Sequence, residues 1–168
     1  MAETFKLTAT ETLALVSSAP EVLEVEASFG AGHGAPPPHL HPAQDEHFEV
    51  LEGELRGRVD GEERTLAAGD TLEIPRGKVH QMWNPSKAPT RARWETRPAG
   101  RTEEWFRAID RLHREGHVRG DGTPSPLAFA VLASEYRDTF RLAGAPDLLL
   151  RPAIAVLGGL GRLRGYRP

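Results

Sequence analysis

The sequence predicts a mainly β protein, with an antiparallel β-barrel or sandwich in the first hundred residues and α-helices after it. Three observations support this fold class. Short segments of the first hundred residues alternate apolar and polar side chains, which is the period of a half-buried strand. Gly, Pro and Asp residues separate these segments at strand-like spacing. Beyond Pro98 the apolar residues recur instead at helical spacing.

The composition limits the class of protein. A chain of 168 residues is long enough for one domain with one core. Its net charge of −3 provides no overall basic field of the kind that draws proteins onto nucleic acid. It contains no cysteine, which excludes disulfides, zinc-thiolate sites and thiol nucleophiles. The N-terminal segment has neither a basic leader nor an apolar run, so we expect a cytoplasmic protein.

The first strands are predicted from alternating apolar residues. Leu13 and Leu15 share one face of a predicted strand. The apolar residues of the next segment also share a face, with acidic residues between them: Leu23, Val25, Ala27 and Phe29. This pattern is typical of antiparallel strands with one face in the core. The Gly- and Pro-rich residues 30–38 are predicted to be an irregular loop.

A group of candidate ligands follows this loop. In a strand, residues two apart share a face, so His39 and His41 point the same way and form a chelating pair. After a predicted turn, Glu46 shares a face with Phe48 and Val50. If these two faces meet, a carboxylate joins two imidazoles.

The remaining predicted strands complete the sheet region. Asp60-Gly61 is a strong hairpin signal, with Leu55 and Val59 facing one way on the strand before it. Alternation continues in three later segments, residues 71–75, 79–84 and 90–96. The number and spacing of the strands predict a barrel or sandwich.

Two helices are predicted after the sheet region. The first spans residues 102–116, with acidic residues in its first turn, where the helix dipole favours them. The second begins with Ser125 as N-cap and Pro126 as first helical residue and reaches about Leu142. We therefore divide the chain into a barrel, residues 1–98, and a helical extension, residues 99–168, packed on the barrel or in a dimer interface.

The last segment has two interpretations. Residues 148–163 are apolar around nearly the whole circumference, which favours a helix packed on the barrel, on the preceding helices or in a dimer interface. The alternative is peripheral membrane contact through residues 148–167, which carry four arginines and no acid. The segment is too short and too interrupted to predict a membrane span.

Two stretches resemble the paired motifs of the cupin superfamily. The first consists of His39-Leu40-His41, four residues, Glu46, six residues and a glycine, Gly53. The second motif is also present in full, as Gly69, Pro75, Gly77, His80 and Asn84. The glycine that the family places six residues ahead of the first histidine falls on His33, between Gly32 and Gly34.

The resemblance covers roughly residues 10–98. It implies a small, jelly-roll-like antiparallel barrel with a metal ion inside, of the compact single-domain bacterial kind. By resemblance the four metal ligands are His39, His41, Glu46 and His80. Imidazoles and one carboxylate suit a divalent transition metal, which leaves Fe, Mn, Co, Ni, Cu or Zn. The alternative is that the histidines are incidental or that the site has lost its metal.

The predicted barrel interior is mostly apolar. Its core residues are also candidates for lining a substrate pocket: Phe48, Val50, Leu55, Ile74, Met82 and Trp94. We find no inward-facing Lys or second His-Asp pair that a sugar isomerase or epimerase would need. No catalytic residue is assigned. Gln44 and Gln81 could orient a ligand, although a surface position is favoured for both.

Two functions from different classes agree with these features. The first is a metal-dependent oxidoreductase of dioxygenase type that acts on a small, largely apolar or aromatic substrate. The second is a non-catalytic cupin that binds a small molecule for sensing or storage. The resemblance also implies a homodimer. We expect neither nucleic acid nor a membrane as a partner.

Overall fold

The computed structural model describes residues 3–32 and 34–168, except for the side chain of Asp147. Eleven strands and three helices are formed within the described residues. The strands are β1 Thr4–Lys6, β2 Glu11–Ala19, β3 Val22–Phe29, β4 His39–Leu40, β5 Asp45–Glu52, β6 Glu54–Val59, β7 Glu62–Ala67, β8 Thr71–Ile74, β9 His80–Trp83, β10 Thr90–Arg97 and β11 Arg141–Leu142. The helices are α1 Thr102–Arg114, α2 Pro126–Glu135 and α3 Asp147–Leu163.

Two antiparallel sheets share one apolar core. The first sheet has the strand order β1-β2-β3-β10-β5-β8, and the second has the order β11-β4-β9-β6-β7. Strands that are far apart in sequence are therefore neighbours, as in a jelly roll. This architecture confirms the predicted fold class, a mainly β barrel followed by C-terminal helices.

The alternating segments form strands because alternate side chains reach the core. On β3 the four apolar residues from Leu23 to Phe29 are all buried, while the acidic residues between them are only partly so. On β5, Glu46, Phe48 and Val50 share the buried face, as predicted. On β2 the register shifts between Leu15 and Ser17, and this irregularity leaves Val16 exposed.

Glycines in left-handed conformations form the turns that the motifs require. The hairpin between β6 and β7 turns at Asp60 and Gly61, which both have positive φ angles of 48° and 89°. This is the pattern of a type I′ turn. Gly53 has φ 81°, and a Cβ there would lie 2.7 Å from Oγ1 of Thr90. Any larger residue at position 53 would therefore be strained and would clash with β10.

The first helix agrees with its prediction, and the second is shorter than predicted. Helix α2 ends at Glu135 instead of about Leu142, because the chain leaves the helix after Tyr136 and Phe140 turns into the core. Residues 141–142 form β11, which pairs with β4. Ser125 occupies the N-cap position, but its hydroxyl makes no capping hydrogen bond.

Helix α3 packs on α2 through glycines. A Cβ at Gly158 would lie 3.0 Å from the carbonyl oxygen of Ala130, and one at Gly161 would lie 2.8 Å from that of Leu127. The two helices therefore approach closely enough for backbone contact. The opposite face of α3 is apolar and exposed at Leu149, Val156, Leu160 and Leu163. Among the described residues, no helix has the length and apolar character that crossing a membrane requires.

Candidate metal centre

The candidate ligands come from both sheets. His39 on β4 pairs directly with His80 on β9 in the second sheet, and His41 lies just beyond β4. Glu46 lies on β5 of the first sheet, where its neighbours are Thr96 and Ile74. The four side chains that the resemblance implied as ligands meet between the sheets. The space between the sheets thus holds four potential donors in an otherwise apolar core.

The three imidazoles form a compact cluster. Each offers a ring nitrogen, and these nitrogens lie within 4.8 Å of one another. The ring centroids of His39 and His80 are 4.4 Å apart. The ring centroid of His41 lies 5.4 Å from that of His39 and 5.3 Å from that of His80. His41 and His80 are buried, whereas His39 is partly exposed.

Glu46 contacts two of these imidazoles. Its Oε1 lies 3.3 Å from Nε2 of His41, and its Oε2 lies 2.9 Å from Nε2 of His80. The carboxylate is only 2% exposed. A buried carboxylate is costly unless a positive partner compensates its charge. The location of Glu46 therefore requires a proton or a cation close to its oxygens.

The outer nitrogens of all three imidazoles face backbone carbonyls. Nδ1 of His39 lies 2.9 Å from the carbonyl oxygen of Pro37. The corresponding distance is 2.6 Å from His41 to Thr139 and 3.0 Å from His80 to Lys78. A carbonyl only accepts hydrogen bonds, so each Nδ1 carries the proton and donates it. The Nε2 atoms are then free to act as ligands. Second-shell partners of this kind fix the tautomer and orientation of metal-binding histidines.

The inner atoms of the centre fit a cation. Nε2 of His41 is buried and makes no hydrogen bond within the described part of the chain, and it lies 3.3 Å from Oε1 of Glu46. An unprotonated Nε2 and a carboxylate oxygen are both acceptors, so they repel one another unless a positive charge lies between them. A soft or borderline divalent ion satisfies nitrogen and oxygen donors together. The donor set therefore fits a transition metal better than calcium or magnesium, which prefer oxygen ligands.

The electrostatics of the centre favour neutral His39 and His41 beside an ionised Glu46. Burial, together with the neighbouring imidazoles, lowers the pKa of His39 to about 3. Burial also lowers the pKa of His41. Burial alone would raise the pKa of Glu46, but the hydrogen bond and charge of His80 lower it below its ordinary value. For His80, the hydrogen bond and charge of Glu46 outweigh burial and raise the pKa.

Trp94 holds the carboxylate in place. Its indole Nε1 donates a 3.0 Å hydrogen bond to Oε1 of Glu46. The indole stacks on Phe48, with ring centroids 5.2 Å apart, and packs edge-on against Phe106 of α1. These contacts restrict the indole, which in turn restricts the carboxylate. Trp94 was predicted as a pocket residue, and the structure shows it as a hydrogen-bond donor to a candidate ligand.

The motif turns support the ligand strands. Gly77, with φ 78°, donates its backbone N–H to the His41 carbonyl over 2.8 Å. Asn84 is fully buried, and its side-chain amide donates to the carbonyls of Phe29, Gly30 and Ala88. The motif residues outside the ligand set thus have structural roles around it.

The other predicted pocket residues lie in the barrel core. They are at most 8% exposed: Phe48, Val50, Leu55, Ile74 and Met82. Neither of the two best-defined cavities in the described structure is lined by them. Their role in binding a substrate remains a prediction. His33, which takes the place of a motif glycine, lies outside the described residues.

Sequence reasoning missed the part of the centre that comes from the C-terminal extension. The Thr139 carbonyl accepts the hydrogen bond of His41, and the ring of Phe140 stacks on His39 with centroids 4.9 Å apart. The surface position favoured for the two glutamines was wrong. Gln44 is buried against Thr102 at the start of α1, and Gln81 is buried and donates to the Pro36 carbonyl.

Comparison with known proteins agrees with this geometry. Residues 25–94 match the cupin domain model. The tetracenomycin polyketide synthase protein TcmJ of Streptomyces glaucescens is 31% identical over 54% of this chain and 54% of its own length. Oxidoreductase iacF of Pestalotiopsis fici is 46% identical over 32% of this chain and 26% of its own length. The chain thus spans about half or less of these curated relatives.

Solved structures show the same fold. KdgF from a Halomonas species has a TM-score of 0.52 and 21% identity, covering 57% of this chain and 87% of that protein. An RmlC-like cupin from Shewanella frigidimarina has a TM-score of 0.55 and 22% identity, covering 61% of this chain and 89% of that protein. About two fifths of this chain lies outside each of these matches.

Proposed function

We propose that this chain, a member of the cupin superfamily with a helical extension after its barrel, binds one divalent transition metal ion between its sheets. The ligands would be His39, His41, Glu46 and His80. The ion would be Fe, Mn, Co, Ni, Cu or Zn, since the donors are three imidazoles and one carboxylate. Three of these donors form the compact histidine cluster, and Glu46 contacts two of them.

One observation carries this proposal. All three imidazoles donate Nδ1–H to a backbone carbonyl, which leaves Nε2 of each ring as the atom available to a metal beside a buried carboxylate. Without an ion, the buried carboxylate of Glu46 depends on a protonated His80 for compensation, and Nε2 of His41 remains a buried acceptor without a donor. A bound cation compensates both costs.

We further propose that the metal centre serves an oxidoreductase of dioxygenase type that acts on a small, apolar or aromatic substrate. Aromatic rings border the ligands, with Phe140 on His39 and Trp94 on Glu46. The relatives that are named as an oxidoreductase and as a polyketide synthase protein support this class of chemistry. When bound, any of these ions would supply Lewis acidity, and a redox-active one such as Fe, Mn, Co or Cu would also supply one-electron chemistry.

The chain's own residues prepare the centre for this role. Glu46 stays ionised because the hydrogen bond and charge of His80 lower its pKa, so it is ready to bind a cation. Trp94 keeps the carboxylate oriented by donating to one oxygen. The ring of Phe140 covers His39 and limits the access of water on that side. These groups keep the donors in one arrangement and in an apolar environment.

A second candidate function is a non-catalytic cupin that binds a small molecule for sensing or storage. The described centre contains no group that is assigned to a chemical step, which a binding function does not need. The predicted pocket is densely packed for both functions, since five of its six apolar residues are at most 6% exposed. A closely packed interior offers a substrate little room beside the metal. Under this alternative the ion and the barrel hold a ligand without turnover.

Oxygen consumption distinguishes the two functions. The protein would be loaded separately with Fe(II), Mn(II), Ni(II), Cu(II), Co(II) and Zn(II) and mixed with a panel of aromatic and apolar compounds in an oxygen-electrode cell. The dioxygenase proposal predicts oxygen uptake with at least one metal and compound, and its loss in the His80→Ala variant. Saturable binding of a panel compound without oxygen uptake under any metal would favour the non-catalytic function.

The quaternary structure is a separate proposal. By resemblance, we propose a homodimer formed through the sheets. Sedimentation equilibrium at micromolar concentration would show twice the chain mass of 18.4 kDa if this is correct. A single species at the chain mass would overturn it.

A further inference from the structure

A cavity lies beside the metal centre, in the part of the chain that the barrel motifs do not cover. It has a volume of about 390 Å³ and lies between α2, β11 and α3. A volume of this size falls within the range of small-molecule sites. Its apolar lining includes Phe140, Leu142 and Ile154. The cavity is thus large and apolar enough for the body of a small organic molecule.

Positive charge surrounds this cavity. Arg137, Arg141 and Arg151 line it, and none of the acidic side chains that the structure describes does. Among the side chains that the structure describes, neither Arg137 nor Arg141 forms an ion pair with a carboxylate, although most other arginines of the chain do. The guanidinium of Arg141 donates only to the Arg137 carbonyl. The charges at this cavity are therefore available to an anion.

The cavity adjoins the metal centre through one aromatic ring. Phe140 lines the cavity and also stacks on His39, with ring centroids 4.9 Å apart and planes inclined by 24°. Trp105 stacks on Phe140 as well, at 4.8 Å. A ligand in the cavity would lie one ring away from a candidate metal ligand.

We propose that this cavity is a binding site for a small organic carboxylate with an apolar or aromatic body. Arg137 and Arg141 would bind the carboxylate, because a guanidinium presents paired donors that match its two oxygens. The apolar lining would cover the body of the ligand. This inference goes beyond the proposed function, since the cavity and its charges are built without any metal ligand.

Binding of 2-naphthoate, measured by titration calorimetry, tests the proposal, with uncharged 2-naphthamide as the matched probe. The expected result is saturable binding of the naphthoate. The amide should bind at least about tenfold more weakly, because it lacks one charge-assisted interaction with the arginines. The Arg137→Gln variant should weaken naphthoate binding by about tenfold, and Arg137→Glu by more. Arg164→Gln, an exposed arginine of the same charge that does not line the cavity, should leave binding unchanged.

Two further measurements locate the probe. In heteronuclear NMR spectra, naphthoate should shift amide signals of residues 133–155 and leave those of the second cavity, around residues 57–64, unchanged. The His80→Ala variant should keep naphthoate binding, because the site does not use the metal. Binding that disappears in His80→Ala but persists in Arg137→Glu would place the carboxylate on the metal and overturn the proposal. Equal affinity for the acid and the amide, or no saturable binding below about 1 mM, would also overturn it.

Discussion

The carbonyl oxygen of Thr139 accepts a 2.6 Å hydrogen bond from Nδ1 of His41, although 98 residues separate the two. Next to it, β11 pairs with β4, and Ala143 donates its backbone N–H to the Pro38 carbonyl. The C-terminal extension is thus joined to the strand that carries two candidate ligands. The candidate metal centre is assembled from the barrel and the extension together.

Phe140 provides a test of this connection. Phe140→Ala should lower the free energy of unfolding by about 3–5 kcal/mol, because it removes a buried ring that packs on both His39 and Trp105. The milder Phe140→Leu variant should cost less than about 2 kcal/mol and remain folded. Urea unfolding measures both.

In the folded Phe140→Leu variant, metal affinity should fall, since His39 loses its stacking partner. Phe5→Leu is the matched control, because Phe5 is buried against Phe106 and does not contact the centre. Equal metal affinities in the two variants would show that the extension does not support the ligands.

Trp94→Phe removes one hydrogen bond to Glu46 and keeps an aromatic ring on Phe48. We expect metal affinity to fall by about tenfold, the usual effect of losing a second-shell partner. Competition with a chelator of known affinity measures the change. Trp83→Phe, on β9 and outside the ligand contacts, should bind metal as tightly as the parent protein. An unchanged affinity in Trp94→Phe would leave the indole with a packing role only.

Two glycines of α3, two residues apart, should respond in opposite directions. A Cβ at Gly161 would lie 2.7 Å from a methyl carbon of Val131, whereas one at Gly159 would meet no atom within 4 Å. Gly161→Ala should therefore destabilise the protein by about 1–3 kcal/mol. Gly159→Ala should stabilise it by up to about 1 kcal/mol through helix propensity. Thermal unfolding of both variants provides the measurement, and stabilisation by Gly161→Ala would contradict the packing of α3 on α2.

Burial raises the pKa of Glu11 to about 7 from its ordinary value of 4.5. Between these two values the folded state binds more protons than the unfolded state, so the free energy of unfolding should fall as the pH rises from 4.5 to 7. Glu11 should contribute roughly 1–3 kcal/mol to this change in the free energy of unfolding. Glu11→Gln should remove this part of the pH dependence. Parallel unfolding curves of parent and variant at pH 5 and pH 8 measure it, and an identical pH dependence would disprove the shift.

The predictions from sequence succeeded where the determining pattern is local. The shared face of Glu46 and Phe48 follows from the two-residue period of a strand, and the Asp60-Gly61 turn follows from the positive φ angles that these residues tolerate. Both can be recognised within a few residues of chain. The approach of His39 to His80 depended on resemblance to known motifs, and the structure shows these residues directly paired.

The pairing of β11 with β4 could not be predicted in this way. Two residues are too few to show a period, and their partner strand is 101 positions earlier in the chain. The helical pattern of α2 also continues through Phe140 and Leu142, whose apolar side chains would suit a longer helix. Burial of Phe140 against Trp105 and His39 overrides that local preference. Gln44 and Gln81 are buried with their side-chain N–H groups donating to backbone carbonyls, which composition does not indicate.

The metal content of the purified protein tests the central claim most directly. Elemental analysis would compare the parent protein, prepared without a chelator or a metal-binding tag, with His80→Ala and His47→Ala. His47 is the control, because it lies outside the centre and contacts Glu73. We predict about one equivalent of a transition metal in the parent and in His47→Ala, and much less in His80→Ala. An equal metal content in all three proteins, or an empty parent that Fe(II), Mn(II), Ni(II) and Zn(II) fail to load, would contradict the metal centre.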